Sequence, residues 1–191
     1  MNKIQKVSSF LLIGFNILLI SIPLMVIIQW LFIDTKISSS GDFIQIFHLL
    51  EKTIETPEGY INLSTVHWTL FTKLLAFCSA MLQITPFILS LFVLKSIVKN
   101  YHKNEIFSIT NALLYRKLGW IFFLNALLIK SLSHTLMVLA VTLANPPGHR
   151  YLTLSFGTPN MEALFYGALV IVVSWVMLEA NKLHDEQKFI I

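Results

Sequence analysis

Residues 7–33 read VSSFLLIGFNILLISIPLMVIIQWLFI, without a single Asp, Glu, Lys or Arg. A helix needs roughly 20 mostly apolar residues to cross the hydrocarbon core of a bilayer, so this stretch decides the fold class. A second uncharged run covers residues 74–94. A third starts at Leu118 and reaches about Ala144, interrupted only by Lys130. The fourth, residues 163–178, lies between Glu162 and Glu179 and spans if those carboxylates sit at the two headgroup layers. Composition agrees: 55% of residues are hydrophobic and 13% charged, about half the charge of a water-soluble domain. The expected architecture is an all-α integral membrane protein, a single four-span domain over residues 1–191. Its helices are expected at about 8–33, 70–96, 109–144 and 161–183. The first run is too long for the roughly 7–15-residue apolar core of a cleaved signal and ends in bulky residues, so it is expected to stay with the mature chain.

Basic residues set the orientation, because Lys and Arg collect on cytoplasmic connections. Lys3 and Lys6 precede the first run, and Lys95, Lys99, Lys103, Arg116 and Lys117 lie between runs two and three. Lys182 and Lys188 follow the fourth. Against these nine stand Lys36, Lys52 and Arg150 on the other side, which places both termini in the cytoplasm. The formal net charge of +4 therefore reflects orientation in a bilayer, and direct nucleic-acid binding is not expected. Trp30 and Trp68 mark the outer helix ends and Tyr101 and Trp120 the inner ones, as interfacial aromatics do. Cys78 is the one cysteine, so no disulfide staples the loops within the chain.

In the first outer loop, Phe43, Ile46, Phe47 and Leu50 recur at helical spacing with Ile54 beyond them, which predicts an amphipathic helix. Residues 60–64 and 151–155 alternate apolar and polar side chains, which predicts a short two-stranded sheet joining both outer loops. On the other side, Ser108 is expected to cap the third helix and Asn160 the fourth. Pro23 and Pro86 fall inside runs one and two and are expected to kink those helices or free backbone carbonyls.

Lys130 asks for an explanation, since a lysine at the middle of a span costs about 2.5–3.5 kcal/mol on insertion scales. At about 100° per residue it shares a face with Gly119, Ala126, Ser133, His134 and Met137. Gln83, Thr85 and Ser174 fall at similar depth in the other runs. Two readings of this polar layer compete. Lys130 and His134 could handle an anionic or polar ligand, or protons; alternatively Lys130 is held by Gln83, Thr85 and carbonyls freed near Pro86, fixing helix packing. No Asp or Glu lies at that depth, and His134 is the one membrane-embedded histidine, so a bis-histidine haem lacks its second ligand. No cofactor or metal is expected, and no nucleophile–base pair or phosphate loop points to an enzyme.

The connection reads Lys103-Asn104-Glu105-Ile106-Phe107-Ser108-Ile109-Thr110-Asn111, then Arg116-Lys117-Leu118-Gly119-Trp120, and the tail from Ala180 reads Ala180-Asn181-Lys182-Leu183-His184-Asp185-Glu186. With four helices in this order, these segments resemble the bacterial membrane-protein family called domain of unknown function 2975. In its usual form that family resembles a basic residue and glycine before the Phe, where this chain has Asn104 and Glu105. The resemblance brings no activity to carry over. It implies a bacterial inner-membrane protein, and an encoded neighbour of the small helix-turn-helix regulator type. The expected function is therefore binding or regulation, with Lys103, Phe107, Asn111, Arg116, Lys117 and Glu186 forming a cytoplasmic partner surface. The partners expected are the lipid bilayer and a cytoplasmic transcription regulator, with self-association compatible. The runner-up is a small transporter or accessory transport subunit using the layer around Lys130.

Overall fold

The computed structural model describes residues 3–33, 53–56, 59–145, 150 and 161–188. Four helices are long and apolar enough to cross a membrane: α1 (Lys3–Phe32), α2 (Leu70–His102), α3 (Ile109–Ala144) and α4 (Met161–Lys188, apolar over Met161–Leu183). Their spans of 30, 33, 36 and 23 residues all exceed the roughly 20 needed, and a helix satisfies its own backbone groups where no water is present. The chain is a multi-pass membrane protein. α1 and α2 run on through Pro23 and Pro86. α3 is not uniform: α-helical Ile109–Leu124 passes through a π-helical turn, Asn125–Ile129, into α-helical Lys130–Ala144.

Contacts divide the chain into two compact units. The first comprises Met1–Ile20, Pro86–Leu127 and Pro159–Ile191. In it α3 and α4 approach backbone to backbone at Gly119 and Gly167. A Cβ at Gly119 would stand 2.5 Å from Ile171 Cγ1 and 2.9 Å from the Gly167 carbonyl oxygen. A Cβ at Gly167 would stand 2.8 Å from Phe123 Cδ2 and 3.1 Å from the Gly119 carbonyl oxygen. Small residues permit this approach between spans, where lipid offers no hydrophobic gain and packing must hold helices together. Ser174, fully buried, donates its hydroxyl to the Ala112 carbonyl oxygen at 2.7 Å and adds a second tie between the same helices. Val93 and Ile97 of α2 close the core against Leu118 of α3.

The second unit comprises Ser21–Thr85 and Leu128–Thr158. Its helices α2 and α3 are joined by a reciprocal serine pair. Ser79 Oγ donates to the Ser133 carbonyl oxygen at 2.6 Å, and Ser133 Oγ donates to the Ser79 carbonyl oxygen at 3.1 Å. β1 (Thr53–Thr56) and β2 (Gly59–Asn62) form an antiparallel hairpin in which Ile54 pairs with Ile61 and Glu55 with Tyr60. Gly59 has φ +116, a backbone state that L side chains rarely adopt, so glycine suits the start of β2. A 3₁₀ turn, Leu63–Thr65, follows, and Trp68 Nε1 donates to the Leu63 carbonyl oxygen at 2.9 Å. Trp30 meets Trp68 edge to face, with centroids 5.4 Å apart and planes at 78°. Thr69 caps α2: Thr72 N–H donates to Thr69 Oγ1 at 3.3 Å and Thr69 N–H donates to Thr72 Oγ1 at 3.0 Å. That exchange is a capping box with threonine in place of the usual Glu or Gln.

The hairpin bears on two expectations. The strand at residues 60–62 exists, and among the described residues it pairs with Thr53–Thr56 of the same loop, a short local return that costs less chain entropy than a pairing across loops. Ile54 belongs to that strand and is buried there, not on a helix face. Trp30 is only 3% exposed, so it is a packed member of the second unit before it is an interfacial anchor. Phe43, Ile46, Phe47, Leu50, residues 151–155 and Asn160 lie outside the described residues.

Gly119→Ala and Gly167→Ala each force a methyl into occupied space, an overpacking that costs about 1–3 kcal/mol. Both variants are expected to melt below the parent chain in detergent. Gly14→Ala is the control: nothing lies within 4 Å of its added Cβ, so its melting temperature should hold or rise.

Candidate functional site

The connection between α2 and α3 is built from backbone caps and one buried amide. α2 ends at His102, and Asn104 adopts φ +65, the left-handed state. Glu105 N–H then donates to the Asn100 carbonyl oxygen and Asn104 N–H to the Tyr101 carbonyl oxygen, both at 3.0 Å. These two bonds are a Schellman motif, which satisfies carbonyls at a helix end, and asparagine is the side-chain residue that best tolerates its left-handed position. α3 restarts with Ser108 as its cap, extended at φ −132 and ψ 150, its hydroxyl accepting from Asn111 N–H at 3.2 Å.

Asn111 holds the loop between these caps. Its Nδ2 donates to the Glu105 and Ile106 carbonyl oxygens at 2.6 and 2.9 Å. Its Oδ1 accepts from Asn100 Nδ2 at 2.7 Å. The side chain is fully buried, so Asn111 supports the surface and does not form it, contrary to the sequence expectation. A polar side chain beside a chain reversal finds unpaired carbonyls to serve, and that draws it inward. The Tyr101 and Tyr115 hydroxyls meet at 2.7 Å across the same helix pair. α1 joins this end of the first unit through His102, whose Nδ1 donates to the Gln5 carbonyl oxygen at 3.3 Å. Gln5 Nε2 returns a bond to the His102 carbonyl oxygen at 3.4 Å.

What this frame presents outward is Phe107, 64% exposed, with Ile109, Lys103, Arg116 and Lys117 all exposed around it in sequence. Among the described residues, no ion pair engages Lys103, Arg116 or Lys117. On α3, the exposed positions Ile109, Leu113, Arg116, Lys117, Trp120 and Leu124 follow helical spacing, while Asn111, Ala112, Leu118 and Gly119 are buried. Glu186 lies on the last turns of α4, and its side chain lies outside the described residues.

The expected polar layer is placed differently from the surface residues. Ser133 is buried in the second unit, with Ser79 as the partner that the sequence did not single out. Gln83 is half-buried, and Thr85 is exposed and donates to the Met81 carbonyl oxygen of its own helix at 2.8 Å. Ser174 belongs to the first unit, where Ala112 takes up its hydroxyl. Lys130 is exposed, and among the described residues no hydrogen bond joins it to Gln83 or Thr85. A π-helical turn just before it takes up an extra residue, so the 100° progression that aligned Lys130 with Ala126 does not hold across it, while Ser133, His134 and Met137 follow Lys130 on unbroken α-helix. His134, one turn on, keeps a buried Nδ1 with no hydrogen-bond partner.

No curated protein and no solved structure matches the chain. A family model matches residues 51–191, which takes in α2, the Asn111-held connection, α3 and α4. The chain therefore belongs to the family described as a protein of unknown function, DUF2975.

Proposed function

We propose that this is a binding or regulatory protein of the bacterial cytoplasmic membrane, with both termini in the cytoplasm. Its α2–α3 connection docks a cytoplasmic transcription regulator of the helix-turn-helix type. The observation that carries this reading is Phe107, exposed on a loop whose backbone Asn104 and Asn111 hold in one shape. A rigid loop loses little conformational entropy on binding, and an exposed aromatic side chain is a common anchor of contact sites. Lys103, Arg116 and Lys117 favour a partner with an acidic rim around an apolar pocket. The nine-to-three division of basic residues supports the orientation that puts this surface in the cytoplasm.

Cysteine labelling tests the orientation. A probe at Asn104 should react only from the cytoplasmic side and a probe at Tyr60 only from the opposite side; the reverse pattern overturns the reading.

Two variants separate the surface from its support. Phe107→Ala should weaken capture of the co-encoded regulator on the purified full-length chain by about 1–3 kcal/mol, with an unchanged melting temperature. Asn111→Leu removes the bonds to two part-buried carbonyls and to Asn100 and should lower both binding and melting temperature, by about 1–3 kcal/mol of stability. Regulator binding that is indifferent to Phe107→Ala, and to charge reversal at Arg116 and Lys117, would leave this surface with no role in docking.

A further inference from the structure

Asn16 carries a carboxamide into the middle of α1 and leaves it uncovered. Along the helix axis it lies about 15 Å from Lys6 and about 24 Å from Phe32, at roughly 1.5 Å rise per residue. Lysine and arginine reach headgroups on long stems, but a carboxamide on one methylene does not. The Asn16 side chain is exposed, and among the described residues it makes no hydrogen bond. Hydrocarbon supplies neither donor nor acceptor, so its N–H groups and its carbonyl oxygen call for a partner at the same depth.

The helix face beside Asn16 is apolar and open. Ile20, Ile13 and Ile17 stand about 40°, 60° and 100° round the axis from it, all in the same direction. Ile13 and Ile17 are 60% exposed and Ile20 72%, and all belong to the first unit. The packed side of α1 begins the other way, where buried Ser8 stands at about 80°. Residues 13, 16, 17 and 20 follow the spacing along which one span lies against another. A second copy of the chain suits this strip, because the same topology inserts its Asn16 at the same depth. A carboxamide is its own complement, so across a two-fold axis along the membrane normal each Asn16 gives one bond and accepts one. Helices that cross at Asn16 diverge toward their ends, so Lys6 is not pressed against its copy.

We infer that two copies of this chain pair within the membrane through Ile13, Asn16, Ile17 and Ile20 of α1, with reciprocal Asn16 hydrogen bonds where the helices cross. This contact uses α1 alone and is separate from the regulator surface on the α2–α3 connection, so either can fail without the other.

The test places single cysteines in the full-length chain carrying Cys78→Ala, oxidised in native membranes. Ile13→Cys and Ile20→Cys should give a disulfide-linked dimer. Leu11→Cys should give little, since Leu11 is also exposed but lies about 140° round from Asn16 on the other side. Asn16→Leu should lower the dimer yield by about fivefold or more, whereas Asn16→Gln, which keeps a donor and an acceptor, should retain most of it. The comparison of Ile13 with Leu11 uses the Asn16 parent and carries the test if Asn16→Leu fails to accumulate. Equal cross-linking from Leu11→Cys and Ile13→Cys, a yield unchanged in Asn16→Leu, or monomer alone at every position overturns the inference.

Discussion

In hydrocarbon no water is available to take a hydrogen bond, so a polar group that enters a span is stabilised by pairing with another part of the protein. That constraint decides how this chain uses its few polar side chains. Ser174 gives its proton to a carbonyl of α3, Ser79 and Ser133 serve each other's backbones, and Thr85 and Ser90 turn back on carbonyls of α2. None of these groups is large. Where α3 meets α4, side chains withdraw altogether and two glycines let the backbones meet. Asn111, with a longer reach, lies at an end of the first unit, where a chain reversal offers carbonyls to bind.

A consequence is that rigidity is concentrated at the connection. Loops between membrane helices are commonly the mobile parts of such proteins, yet this one is short, capped at both ends and filled by a buried carboxamide. The same design leaves its polar and apolar duties on different residues: Asn104, Ser108 and Asn111 make the shape, and Phe107 with its basic neighbours meets whatever lies outside. Function and stability are then carried by side chains that can be changed separately.

The four spans were legible because apolar length is a one-dimensional property, and so was the Ser108 cap, which depends on residues three apart. What the sequence hid depends on contacts between distant segments or on a local break in periodicity. Gly119 and Gly167 lie on different helices, so no spacing pattern links them. Asn111 looked like surface because its connection is polar, and only the reversal at Asn104 turns it inward. A constant 100° step aligns Lys130 with Gly119 and Ala126, and the π-helical turn at Asn125–Ile129 breaks that step between them. The strand at residue 60 was visible from alternation, but its partner was not, since alternation says nothing about pairing. Asn104 did carry a readable signal, an asparagine directly after a helix that ends in basic residues.

The placement of the four tryptophans gives the molecule two optical populations. Trp30 and Trp68 lie edge to face in the second unit, with Trp30 shielded, whereas Trp120 and Trp175 stand exposed on spans of the first. Lipids carrying a quenching atom in their acyl chains therefore reach Trp120 and Trp175 and spare Trp30. Near-ultraviolet dichroism, which responds to coupled indoles in fixed geometry, arises chiefly from the Trp30–Trp68 pair. The intrinsic emission of the native chain can follow the lipid contact of one unit while its dichroism follows the packing of the other, with no label added.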